Sequence, residues 1–146
     1  MKIFIAADHA GFAMKQYLLE NFERNMVDLG THSQESCDYP LFAQKLTDKM
    51  LNTKGSYGVL ICNTGIGMTI AANRCRGIRA ALCFNEKMAE LSRRHNDANI
   101  IVFGSGIVNN KKALSCLRLF LDTEFESGRH SRRLHLIDSV NSMQQI

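Results

Sequence analysis

Residues 58–73 read Gly-Val-Leu-Ile-Cys-Asn-Thr-Gly-Ile-Gly-Met-Thr-Ile-Ala-Ala-Asn. The thiol of Cys62, the amide of Asn63 and the hydroxyl of Thr64 follow one another at the end of an apolar run. The glycine-containing turn Gly65-Ile66-Gly67 then opens a segment of helical composition. A strand, a turn and a helix start of this kind can present several backbone N–H groups to an anion. A thiol at the strand's last position faces the same space, and a helix N-terminus favours its thiolate form. The chemistry this suggests is removal of a proton alpha to a carbonyl by the thiolate, with the amides holding the resulting enediolate. The bland alternative is a tight turn carrying a buried, inert cysteine.

Familiar motifs are excluded here. A Walker loop needs Gly-Lys-Ser/Thr, whereas Gly67 is followed by Met68 and Thr69. The dinucleotide fingerprint wants a third small residue where Ile70 stands. A cysteine phosphatase loop would want arginine at Met68. No metal-ligand cluster is visible, so no metal and no cofactor are expected.

Other candidates are scattered along the chain. Asp8 and His9 follow the first apolar run; Asp8 could orient a sugar hydroxyl or cap the first helix, and His9 could bind phosphate or move a proton. Tyr39 could line the same space or cover a helix start. His95 and Asn96 end a helix just before the fifth strand, behind Arg93 and Arg94, which read as ordinary partners of the helix dipole. Arg129 and Arg133 stand four apart on one helix face, where two guanidinium forks suit a phosphate dianion. A merely solvated pair there is awkward, because cations are disfavoured at a helix N-terminus.

These residues need a scaffold. The chain has 146 residues, 45% hydrophobic and 22% charged, which predicts one domain over residues 1–146 with a real core. A formal charge of +4 without a dense basic block suits an anionic small molecule and gives no sign of nucleic acid. No apolar run approaches a membrane span, and the first residues have no signal-peptide layout. The five cysteines lack a Cys-x-x-Cys pair, which predicts reduced thiols in a cytoplasm. Cys83 and Cys116 sit in apolar runs and read as core.

Apolar strands are expected near residues 2–7, 26–29, 57–62, 80–83 and 100–103, with helical spacing between them. Asn85 is a candidate cap, and a last helix begins near Arg129. Alternation of this kind predicts a Rossmann-like α/β three-layer sandwich: a five-stranded parallel sheet with helices on both faces. The order 2-1-3-4-5 is expected, with the crevice beyond the carboxyl ends of strands one and three. Asp8-His9 and Cys62-Asn63-Thr64 converge there. The extra C-terminal helix, followed by no strand, is left to pack on a partner.

At this point the chain resembles the ribose-5-phosphate isomerase type B family, with its galactose-6-phosphate isomerase relatives. The resemblance rests on residues 7–12, Asp38-Tyr39-Pro40, residues 62–67, 70–73 and 77–80, residues 91–97, and Gly128-Arg129-His130. It implies a metal-independent aldose–ketose isomerase of the pentose phosphate pathway, interconverting ribose 5-phosphate and ribulose 5-phosphate. It makes Cys62 the base, Thr64 the group moving protons between the two oxygens, and His95 with Asp8 the ring-opening residues. Asn96 and the amides of Asn63, Gly65, Ile66 and Gly67 would hold the enediolate, Tyr39 would line the site, and His9, Arg129 and Arg133 would face the phosphate. A homodimer with sites built from both subunits, or a dimer of such dimers, is implied. The sequence departs from the family pattern at Asn63, where glycine is usual, and at Gly106, where arginine is frequent; Lys111 or Lys112 could replace that arginine. Isomerisation of a six-carbon sugar phosphate, such as allose or galactose 6-phosphate, and a non-catalytic sugar-phosphate-binding module are the alternatives.

Overall fold

The structure, a computed structural model, describes residues 1–143 and the side chains of residues 1–140. Strands form where the sequence is apolar without alternation: β1 (Ile3–Ala7), β2 (Val27–Asp28), β3 (Tyr57–Cys62), β4 (Ala80–Leu82) and β5 (Ile100–Gly104). All pair in parallel. The helices are α1 (Phe12–Asn21), α2 (Tyr39–Leu51), α3 (Ile66–Ala72), α4 (Glu86–Asn96), α5 (Asn110–Asp122) and α6 (Arg129–Met143). Pro40 sits in the first turn of α2, and Asn85 caps α4 by accepting the Met88 N–H at 2.9 Å. In the last helix, Met143 belongs to α6, but its side chain lies outside the described residues.

The α/β class and the helix-covered parallel sheet are as expected, but the order is β2-β1-β3-β5-β4. The last two strands therefore exchange places relative to 2-1-3-4-5. Burial explains why. All five residues of β5 are buried, as a strand covered on both faces and both edges must be. Ala80-Ala81-Leu82 of β4 are only half-buried, and a short strand of that kind belongs at an edge.

The exchange also decides where α4 goes. Each right-handed crossover places its helix according to the direction of travel across the sheet. Returning inward from β4 to β5 reverses that direction, so α4 joins α1 and α5 on one face. On the other face α2 and α3 bury Leu46, Met50 and Met68 against Leu60, Ile100 and Val102. The chain still leaves β1 and β3 in opposite directions, so the crevice between their carboxyl ends survives.

Two charged residues serve the frame. Lys15 is wholly buried and pairs with Asp28 Oδ2 at 2.8 Å. Replacing Asp28 by alanine strands that ammonium and is expected to cost about 3 kcal/mol, read as a lower urea midpoint. Arg93, read from sequence as a partner for the helix dipole, is instead a buried bolt. It donates to Asp97 Oδ1 at 2.7 Å, to the Ala98 carbonyl at 2.6 Å and to the Tyr57 hydroxyl at 3.2 Å.

Candidate active site

At the carboxyl end of β3 the chain turns sharply into α3. Gly65 caps that helix with φ of +78°, and a Cβ there would lie 2.4 Å from Leu82 Cδ1. Only glycine suits both the backbone and the space. This turn brings the Gly65 N–H to the Cys62 sulfur at 3.2 Å. Such a bond strengthens when the acceptor carries charge. The Thr64 hydroxyl accepts the Ile66 N–H at 3.3 Å.

The turn forms one wall of a crevice of about 440 Å³ lined by Asp8, Tyr39, Cys62, Asn63, Thr64, Ile66, Gly67 and Ile70. Tyr39 lies directly across Gly67, where an added Cβ would meet its ring at 2.5 Å, so it lines the crevice as well as starting α2. Asp8 is buried and its Oδ1 accepts the Gly11 N–H at 3.1 Å. It closes the turn ahead of α1 without capping that helix through its side chain, and it borders the crevice. His9 follows it, with Nδ1 accepting the Cys37 N–H at 3.2 Å. Cys37 was not a candidate, since nothing in its local sequence points to a histidine 28 residues away.

Ser105 was also missed. Its hydroxyl donates to the Ala10 carbonyl at 2.9 Å, and its N–H donates to the Cys62 carbonyl at 2.9 Å. It ties the turn after β1 and the end of β3 to the residue that follows β5. The Gly-Ser-Gly after the fifth strand is the signal that could have found it. Of the other cysteines, burial pushes the Cys83 thiol up to about 12 and the Cys116 thiol up to about 11. Both stay protonated at neutral pH, as core thiols should.

The two departures in the sequence meet each other. A Cβ on Gly106 would lie 2.5 Å from Asn63 Oδ1, and the Gly106 N–H donates to the Asn63 carbonyl at 2.8 Å. The amide of Asn63 thus fills the volume a side chain at 106 would take. Gly106→Ala is expected to displace Asn63, and the same change in an Asn63→Gly background to do little. A double-mutant cycle on kcat/KM should return an interaction of about 1 kcal/mol.

The remaining candidates are not brought to this crevice within one chain. Cys62 is level with Gly104 at the end of β5. His95 and Asn96 close α4 and so precede the start of β5. A five-residue strand spans about 16 Å, so the two groups sit at opposite poles of the sheet. At the second pole the His95 and His130 rings stack, with centroids 4.2 Å apart. Glu126 faces both histidines, and a hydrogen bond from Arg94 holds its carboxyl below the usual range. Burial, followed by the charges of His95 and Arg129, keeps His130 less readily protonated than usual. Arg129 and Arg133 are exposed on the first turns of α6.

On the outward face of α6, positions 129, 133, 136 and 140 follow one another at helical spacing. Leu136 and Val140 on this face are more than half exposed. Ile66 and Ile70, on the rim of the crevice, are exposed to the same degree. No helix among the described residues is long and apolar enough to cross a membrane.

The fold and the sequence pattern recur in known proteins. The ribose/galactose isomerase family matches residues 3–137. A Rickettsia bellii relative, whose name goes no further than sugar phosphate isomerase, is 45% identical over 139 residues, covering 93% of this chain and 96% of its own. The structure of Clostridium thermocellum ribose-5-phosphate isomerase B superimposes with a TM-score of 0.94 at 40% identity, covering 99% of each chain. Ribose-5-phosphate isomerase B from Mycoplasma genitalium, crystallised with bound ribulose-5-phosphate, gives 0.91 at 38% identity, covering 97% of this chain and 96% of that one. The chain belongs to the ribose/galactose isomerase family and is an isomerase.

Proposed function

We propose that the protein interconverts ribose 5-phosphate and ribulose 5-phosphate, with Cys62 as the base. The observation that carries this is the Cys62 sulfur, buried at the end of β3 and accepting the Gly65 N–H, inside a crevice that also holds Asp8 and Thr64. In the proposed mechanism the Cys62 thiolate takes the proton from C2 of the open-chain aldose. The electrons move to the C1 oxygen, and the turn's amides stabilise the enediolate. Thr64 passes a proton between the two oxygens, and the proton held by Cys62 returns at C1.

The two-pole arrangement supports a shared site. His95, Asn96, Arg129 and Arg133 cannot join Cys62 in one chain, yet all four have chemistry the reaction needs. A two-fold dimer that lays the second pole of one subunit against the crevice of the other completes two sites at once. The outward face of α6 supports this pairing, because the stripe that carries the arginines also carries the exposed Leu136 and Val140. In that dimer the partner's His95 opens the sugar ring with Asp8. The arginines take the phosphate together with His9, and Asn96 helps to hold the enediolate.

The test is turnover of ribose 5-phosphate in excess chelator, with allose 6-phosphate and galactose 6-phosphate alongside. Formation of ribulose 5-phosphate is expected. Turnover of only a six-carbon sugar would keep the mechanism and overturn the substrate, while no turnover of any would leave a binding module.

A further inference from the structure

One charged group at the second pole has no part in the chemistry above. Glu126 lies between α5 and α6, its N–H donating to the Arg94 carbonyl at 3.0 Å. Its Oε1 accepts from Arg94 Nε at 2.5 Å, and Arg94 is itself braced by Glu90 at 2.9 Å. One carboxylate oxygen is therefore committed. The other, Oε2, faces His95 Nε2 at 3.9 Å and His130 Nε2 at 3.5 Å. His130 Nε2 is buried and makes no hydrogen bond, and its ring lies 13° from parallel with that of His95.

Two histidines and a carboxylate with ligand atoms within 4.8 Å of one another could suggest a metal site. The surrounding charge argues otherwise. Arg94 holds one oxygen of the carboxylate, and Arg129 and Arg133 are close enough to hold down the protonation of His130. A divalent cation would be repelled by all three.

Resting on the reading that His95 opens the sugar ring, we propose that Glu126 is the positioning residue for His95. When substrate engages His95, the Glu126 Oε2 accepts the Nε2–H of His95, which fixes that tautomer and leaves Nδ1 as the nitrogen presented to the sugar. The stacked His130 ring holds the plane. An outer-shell carboxylate commonly sets a functional imidazole in this way. At 3.9 Å the contact is longer than a hydrogen bond, and in the proposal it closes when substrate engages His95, as catalytic contacts commonly do.

The experiment separates ring opening from proton transfer. Ribose 5-phosphate is mainly cyclic and must be opened. Ribulose 5-phosphate, with its C5 oxygen esterified, is already open. In full-length Glu126→Ala, kcat for ribose 5-phosphate should fall about 10–100-fold, with KM within about twofold. Exchange of solvent deuterium into C1 of ribulose 5-phosphate should hold at the wild-type rate. In a His95→Ala background, Glu126→Ala should cause no further loss.

Parallel loss of aldose turnover and ketose exchange would show a merely structural role and overturn the proposal. So would unchanged aldose turnover in Glu126→Ala when His95→Ala is impaired. If His95→Ala itself turns over ribose 5-phosphate normally, the ring-opening reading fails and takes the positioning role with it. That outcome is distinguishable from a failure of Glu126 alone.

Discussion

Cys62→Ala is expected to lower kcat for ribose 5-phosphate by about 10³-fold or more, within the range that a general base contributes. The effect should be confined to chemistry. Cys62 is almost fully buried, and its sulfur accepts the Gly65 N–H at 3.2 Å. Removing the sulfur leaves that N–H without its partner and a small void, at a cost of about 1–2 kcal/mol. The fold tolerates this loss, because strand pairing holds Cys62 level with Gly104 through the backbone. Calorimetric binding of ribose 5-phosphate should therefore persist. Deuterium exchange into C1 of ribulose 5-phosphate should disappear with turnover, because both need a base at the reacting carbon. Retained exchange would place the base on another residue.

Leu136→Asp is expected to abolish most activity from a position well removed from the crevice. In a single chain this side chain is 53% exposed on the outward face of α6, so the change costs the isolated fold little. Burial of a carboxylate against a second subunit is a different matter and disfavours the dimer strongly. Light scattering should show the variant as a monomer. Each monomer would keep Cys62 but lose the partner's His95, Asn96, Arg129 and Arg133. Turnover should then fall by at least about 10²-fold, and phosphate-dependent affinity should fall with it. A monomer with full activity would mean that one chain suffices.

These expectations grew unevenly from the sequence. The strand ending at Cys62 and the turn after it were legible because burial on both faces leaves a continuous apolar run, and the conformation at Gly65 leaves a glycine. Asn85 was legible because a cap bonds within its own helix. The places of β4 and β5 were not, since a strand's sequence says how buried it is and not which neighbour it pairs with. The half-polar company of Ala80-Ala81-Leu82 was the available hint. Contacts between distant segments were invisible for the same reason. Cys37 at His9 and Asn63 against Gly106 join loops that carry no periodic pattern, and Glu126, in the loop before α6, faces histidines that stand on two different helices. Arg93 misled because the end of a helix suits a solvated arginine as well as a buried one, and only the tertiary fold supplies Tyr57 and the Ala98 carbonyl. The separation of His95 from Cys62 was, by contrast, implicit in the alternation itself. A helix that precedes a parallel strand must end at the opposite pole from the strand's carboxyl end.

The central claim is that Cys62 of one subunit works with His95 of the other, and subunit complementation tests it most directly. Cys62→Ala and His95→Ala chains carrying different tags would be co-expressed, and the mixed dimer isolated through both tags. One of its sites then unites an intact Cys62 with an intact His95, while the other holds both lesions. The mixed dimer should recover about half of the wild-type activity per dimer, against almost none for either parent. A mixed dimer no more active than its parents would contradict the shared site.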